Sequence, residues 1–175
     1  MSFATGSSRN QPRDFLSRDE RKAIREAALE YGSVPSYDSL SPDEREGWKI
    51  HLAQRFRKPT VEIGPKDFRK ANGFKIPSII WTSLYAGLRP VEVGRARTNW
   101  VDPDNALLRI PADEASKSNE NWIVSLTELT AEILDHWLEE RSLYEKYNDT
   151  SRLWLTRENK PYSSRSLKYV LEKLC

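Results

Sequence analysis

The chain has 175 residues, enough for one domain of ordinary size. With 38% hydrophobic and 31% charged residues it fits a soluble globular protein and not a disordered one. The 28 basic and 26 acidic residues leave a formal charge of +2, so bulk charge neither demands nor opposes nucleic acid. No apolar run approaches a membrane span, and the opening MSFATGSSRNQP lacks the hydrophobic segment of a signal peptide. The one cysteine, Cys175, is the last residue, which excludes an internal disulfide and points to a cytoplasmic setting with no membrane partner.

Residues 1–13 are rich in Ser, Asn, Gly and Pro and read as a flexible lead-in. Ser17 and Glu20 form a capping box opening a first helix, whose apolar stripe is Ile24, Ala27, Ala28 and Tyr31. Gly32 is expected to end it. A second box, Ser41 with Glu44, has Pro42 at the first helical position and opens a helix carrying Trp48, Leu52 and Phe56. Lys58-Pro59 stops that helix, and GPKDFRKANG predicts a short one between Gly64 and Gly73.

From Lys75 the helical spacing strengthens through Ile76, Ile79, Ile80, Ser83 and Leu84, running to about Ala86 and stopping at Gly87. Pro90 suits the first position of a new helix carrying Val91, Val93 and Ala96, with Glu92 in its first turn, where the helix dipole favours an acid. Arg89 then falls at the junction of two helices, a place suited to gripping something external. NWVDPDN reads as a turn, and 106–111 and 121–126 read as strands. The polar stretch between them predicts a further short strand and a hairpin loop with Lys117 near its tip. Thr127 caps a helix over about 127–147, residues 152–155 form a buried extended segment, and RENKP is a turn. Ser163 or Ser164 starts a last amphipathic helix with Leu167, Val170, Leu171 and Leu174. The sum is an α+β plan, mostly helical, with a small antiparallel three-stranded sheet.

Without further context the residues offer little chemistry. There is no Gly-rich phosphate loop, no metal-ligand cluster and no Ser/His/Asp spacing. His51 and His136 read as surface or packing residues, and the six tryptophans as core and interface anchors. Arg95, Arg97 and Arg109 make a basic stretch able to steer a polyanion.

Taken in order, these features resemble the catalytic domain of the tyrosine recombinases, the phage-integrase family, and within it the archaeal integrase-like proteins. AGLRPVEV is similar to the family's Thr-Gly-Leu-Arg-x-x-Glu box, with Ala86 in place of the threonine. IPADEASKSNENWIVSL resembles its β-hairpin, in which a lysine precedes a strand ending in Val-Pro-Leu, here Val124-Ser125-Leu126. FLSRDERKAIREAA resembles the way such domains open, and RLWLT with SSRSLKYVLEKL resembles the segments before the second catalytic box. The likeness covers about 14–175, with 33–73 read as an insertion. It implies the core of a DNA breaking-rejoining enzyme, truncated before the His-x-x-Arg box and the tyrosine nucleophile. Tyr162 and Tyr169 do not align with that nucleophile and read as packing residues.

The resemblance further implies DNA integration or site-specific recombination through a 3′-phosphotyrosyl intermediate, on double-stranded DNA and with no metal or other cofactor. Arg89 would be the catalytic phosphate clamp, Lys117 the general acid and Glu92 the support for Arg89, while Arg89, Arg95, Arg97 and Lys117 would bind DNA. The isolated chain would be catalytically incomplete, and apolar surface left on its last helices would favour self-association. Two rivals remain open. One is a non-catalytic DNA-binding or regulatory module of the same architecture. The other is an unrelated helical interaction protein, in which Arg89 and Lys117 are structural.

Overall fold

Local signals set most helix starts. In the computed structural model, which describes residues 16–31, 34–71, 73–115 and 120–174, both predicted capping boxes close. The Ser17 amide donates to Glu20 Oε2 (2.7 Å), and the Glu20 amide donates to Ser17 Oγ (3.1 Å). Ser41 and Glu44 do the same at 3.0 and 3.3 Å. Each box satisfies amides that a helix start leaves without partners. The lead-in, the stop at Gly32, the hairpin tip with Lys117, and Cys175 lie outside the described residues.

The helices are α1 (Arg18–Tyr31), α2 (Pro42–Phe56), α3 (Pro65–Lys70), α4 (Lys75–Ala86), α5 (Pro90–Arg95), α6 (Glu128–Arg141) and α7 (Ser164–Leu174). The strands β1 (Val101–Asp102), β2 (Leu107–Ile110) and β3 (Trp122–Ser125) form an antiparallel sheet in the order β1-β2-β3. Val101 pairs with Leu108, and Leu108 in turn with Val124. The α+β, mostly helical architecture predicted above is therefore present.

Two details differ from expectation. The third strand is Val101–Asp102, inside the stretch read as a turn, and no strand lies among the described residues of 112–120. The Asp102 carboxylate accepts from the Asn105 amide and side chain (3.2 and 2.9 Å), so the turn begins only after a two-residue strand. Helix α6 starts where Thr127 caps it but ends at Arg141, short of 147, and Glu145–Tyr147 form a separate 3₁₀ turn.

Helix α4 is apolar almost all round, as a central helix must be, and packs between α1 and α6. The main core gathers Ile79, Val93, Trp100, Ile110, Leu134, Trp137, Leu153 and Trp154 around it. Residues 34–71 enclose a second, smaller core of Leu52, Ala53, Ile63, Phe68 and Ala71, with Trp48 and Phe56 against it. The fully buried Glu140 joins the two, accepting from Arg55 of α2 (2.5 Å), from the Phe74 amide (3.0 Å) and from the Tyr144 hydroxyl (2.5 Å). No helix among the described residues is long and apolar enough to cross a membrane. On α7, Tyr169 and Leu171 are exposed.

Burial first, and then repulsion from Lys146 and Arg55, push the Lys75 ammonium down to about 8 from its ordinary 10.5. Between those two values the unfolded chain holds more protons than the folded one, so stability rises with pH across that window. Urea midpoints measured at pH 8 and pH 10 are expected to show that rise, and Lys75→Met to flatten it.

Candidate active site

The junction at Arg89 is built by three neighbouring residues. Gly87 takes the left-handed conformation (φ 67°, ψ 39°), and the Gly87 and Leu88 amides both donate to the Ser83 carbonyl, closing α4. Pro90 bars Arg89 from helical geometry, and Arg89 is extended (φ −85°, ψ 156°). Its carbonyl accepts from the Glu92 and Val93 amides (2.9 and 3.1 Å), starting α5. The fully buried Glu92 carboxylate accepts from the Arg89 amide (2.8 Å). Glu92 thus pins the backbone of Arg89, whose side chain is exposed.

Helix α5 is held from its other end. Past Ala96 the chain pairs with the 151–153 segment: the Thr98 amide donates to the Ser151 carbonyl and the Leu153 amide to the Ala96 carbonyl, both at 2.8 Å. Arg152 Nη1 donates to the Gly94 carbonyl (2.5 Å). Gly94 itself lies against the next stretch of chain, where a Cβ would stand 2.4 Å from the Tyr162 carbonyl oxygen. Only glycine fits that approach.

Arg95 and Arg97 turn toward the stem of the hairpin. Arg95 Nη1 donates to the Glu114 carbonyl (3.3 Å), and Arg97 Nε lies 3.8 Å from the Glu114 carboxylate. Arg97 Nη1 also donates to Ser151 Oγ (2.7 Å). These contacts bring the turn at Pro111–Ala115 against the α5 end, and the loop continues from there toward Lys117, which is outside the described residues. Across the loop base, the Ala112 amide donates to Asn121 Oδ1 (2.9 Å). Arg109 points elsewhere and pairs with Asp102 (3.5 Å).

The structure therefore brings Arg95 and Arg97 to the hairpin stem, while Arg89 and the Glu92 that anchors it stand at the opposite end of the same short helix, Glu92 buried and Arg89 exposed. Tyr162 is buried, and burial foremost raises its phenol above the ordinary 10, which disfavours the phenolate a nucleophile would need. Tyr169, read from sequence as a packing residue, is exposed, with the Lys173 ammonium 5.0 Å from its ring. His51 and His136 are exposed as expected, His136 stacked on Phe74 at 4.7 Å.

No protein-family model matches this chain, and no curated protein does. Among solved structures it is similar to the crystal structure of XerA recombinase, with a TM-score of 0.51 at 15% identity, covering 99% of this chain and 73% of that one. Identity so low makes this a likeness of fold. The chain has a tyrosine-recombinase-like fold.

Sequence reasoning gave no site role to Arg141 and Arg152, which hold the α5 end, Arg152 directly through the Gly94 carbonyl and Arg141 by fixing the 150–152 backbone. Arg141 donates from Nε and Nη2 to the Arg152 carbonyl (3.0 and 2.7 Å) and from Nη2 to that of Thr150 (2.8 Å). An arginine on the apolar stripe of α6 was the available signal. Gly94→Ala is expected to lower stability by about 1–3 kcal/mol through overpacking, read as a shift in urea midpoint. Gly47→Ala, whose Cβ would meet nothing within 4 Å, serves as the control and should not fall.

Proposed function

We propose that the chain is the DNA-binding part of a site-specific tyrosine recombinase, with Arg89 as the group that meets the scissile phosphate. The observation that carries this reading is the geometry at 89–92, an exposed arginine whose backbone is anchored by a fully buried carboxylate. A fold similar to that of a recombinase along nearly the whole chain supports it. In this reading 34–71 belongs to an insertion on the catalytic core.

The chemistry follows from the transition state. Attack on a phosphodiester builds negative charge on the non-bridging oxygens, and a guanidinium answers with two parallel donors and a charge it does not lose. Placed beforehand, such a donor lowers the barrier by about 3 kcal/mol. Exposure leaves Arg89 accessible to a backbone phosphate. Glu92 reduces the freedom that Arg89 would lose on binding. The hairpin lysine, Lys117, would protonate the leaving 5′-oxygen, approaching from the loop whose stem Arg95 and Arg97 hold through Glu114. Arg95 and Arg97 would strengthen the local positive field at the DNA.

Duplex binding is expected to be weak and strongly salt-dependent, because it rests on counterion release from phosphates. Arg89→Ala combined with Lys117→Ala should weaken low-salt affinity roughly tenfold or more in a fluorescence-anisotropy titration; unchanged affinity would discard this face. The 175-residue chain is expected to form no covalent adduct with a nicked suicide duplex. An adduct mapped to Tyr162 or Tyr169 by mass spectrometry would reverse the assignment of those residues.

A further inference from the structure

A second group of cations gathers where the smaller core meets the larger one. The Lys75 ammonium, at the start of α4, donates to the Leu155 carbonyl (3.0 Å). The Lys146 ammonium donates to the very next carbonyl, that of Thr156 (3.0 Å). The two ammonium groups also repel: after burial, Lys146 is the foremost charge that pushes the Lys75 ammonium down. Arg157 follows Thr156 directly, in the tight turn closed by the Asn159 and Lys160 amides on Thr156. From the other core comes Arg55, on Glu140, with Arg57 just beyond it at the end of α2.

Counter-charge here is scarce. Glu140 has no exposed surface and already accepts from three donors. Glu158 faces Lys146, whose ammonium is pulled down by burial and then by Arg57, Arg157 and Arg55. Cations drawn from four separate stretches of chain therefore repel one another in the folded state, a strain that a bound polyanion relieves. Arg57 and Arg157 are exposed, and their guanidinium groups make no hydrogen bond or ion pair with a described residue.

The Arg89 junction cannot share one phosphate with this group. Helix α4 separates Lys75 from it by 12 residues, roughly 18 Å at 1.5 Å per residue. A duplex lying along both groups would span such a gap in about five base steps at 3.4 Å per phosphate on each strand. We propose that Arg57, Lys146 and Arg157 form a second contact surface for the phosphate backbone of duplex DNA, remote from Arg89. This rests on the DNA-binding reading above.

The test is anisotropy of a labelled duplex of arbitrary sequence, titrated with the full chain across a KCl series. For Arg57→Gln with Arg157→Gln, the slope of log affinity on log salt is expected to become shallower by about 2, near 0.9 for each phosphate that is no longer neutralised. The paired lysine variant, Arg57→Lys with Arg157→Lys, should keep the parent slope, which separates an effect of charge from an effect of structure. An unchanged slope in the glutamine pair overturns the second surface. If Arg89→Ala weakens binding in the same series while the glutamine pair does not, the second surface alone falls. If the glutamine pair weakens binding and Arg89→Ala does not, this surface stands and the role given to Arg89 falls. A parent chain that binds no duplex at low salt overturns both.

Discussion

Residues 151–155 run into the interior outside any sheet, with isolated bridges only, Arg152 to Arg97 and Leu155 to Pro161, so their buried amides and carbonyls must find partners one by one. The Thr98 amide takes the carbonyl of Ser151, Arg141 that of Arg152, the Trp137 indole that of Leu153 (2.9 Å) and Lys75 that of Leu155. The Leu153 amide goes to Ala96, and the Leu155 amide to the Tyr147 hydroxyl (2.9 Å). The Trp154 indole donates to Ser78 on α4 (2.8 Å). Leaving such groups unpaired costs about 1–3 kcal/mol each, so α4, α6, the 96–98 segment and Tyr147 are all tied to one line.

That line also orients the candidate site. Pairing of 96–98 with 151–153 and the Arg152 bond to Gly94 fix the exit of α5, while Gly87 and Glu92 fix its entrance. A six-residue helix has little stability of its own, and here its position comes from what holds its two ends. Arg89 stands on a support assembled from α4, α6 and the 151–155 segment. A rigid support is what the role proposed for Arg89 would need, since a side chain that meets a phosphate must be oriented beforehand.

What the sequence disclosed divides along range. Ser17–Glu20, Ser41–Glu44, Gly87 and Pro90 act within four residues, and their effects were legible because the physics is local. Val101–Asp102 escaped notice because a two-residue strand has no period to detect, and its strand identity comes from Leu107 and Leu108 across the turn. The early end of α6 had a similar cause. Arg141 there binds carbonyls nine and eleven residues on, drawing the chain out of the helix. At the site, Arg89 and Glu92 could be read from one octapeptide. The engagement of Arg95 and Arg97 with Glu114 needs the folded hairpin stem, and no spacing rule announces it.

The pair of cores has a further consequence through Glu140. Residues 34–71 carry their own apolar cluster, and Arg55 reaches a carboxylate that belongs to the other body. A buried carboxylate deprived of such a partner is left with an uncompensated charge, so the junction resists gradual loosening. Release of the smaller body is therefore expected as a subglobal opening with its own free energy beneath that of complete unfolding. Protons on the amides of α2 and α3 would then exchange together, ahead of those in α4, giving the polypeptide two separable thresholds of order.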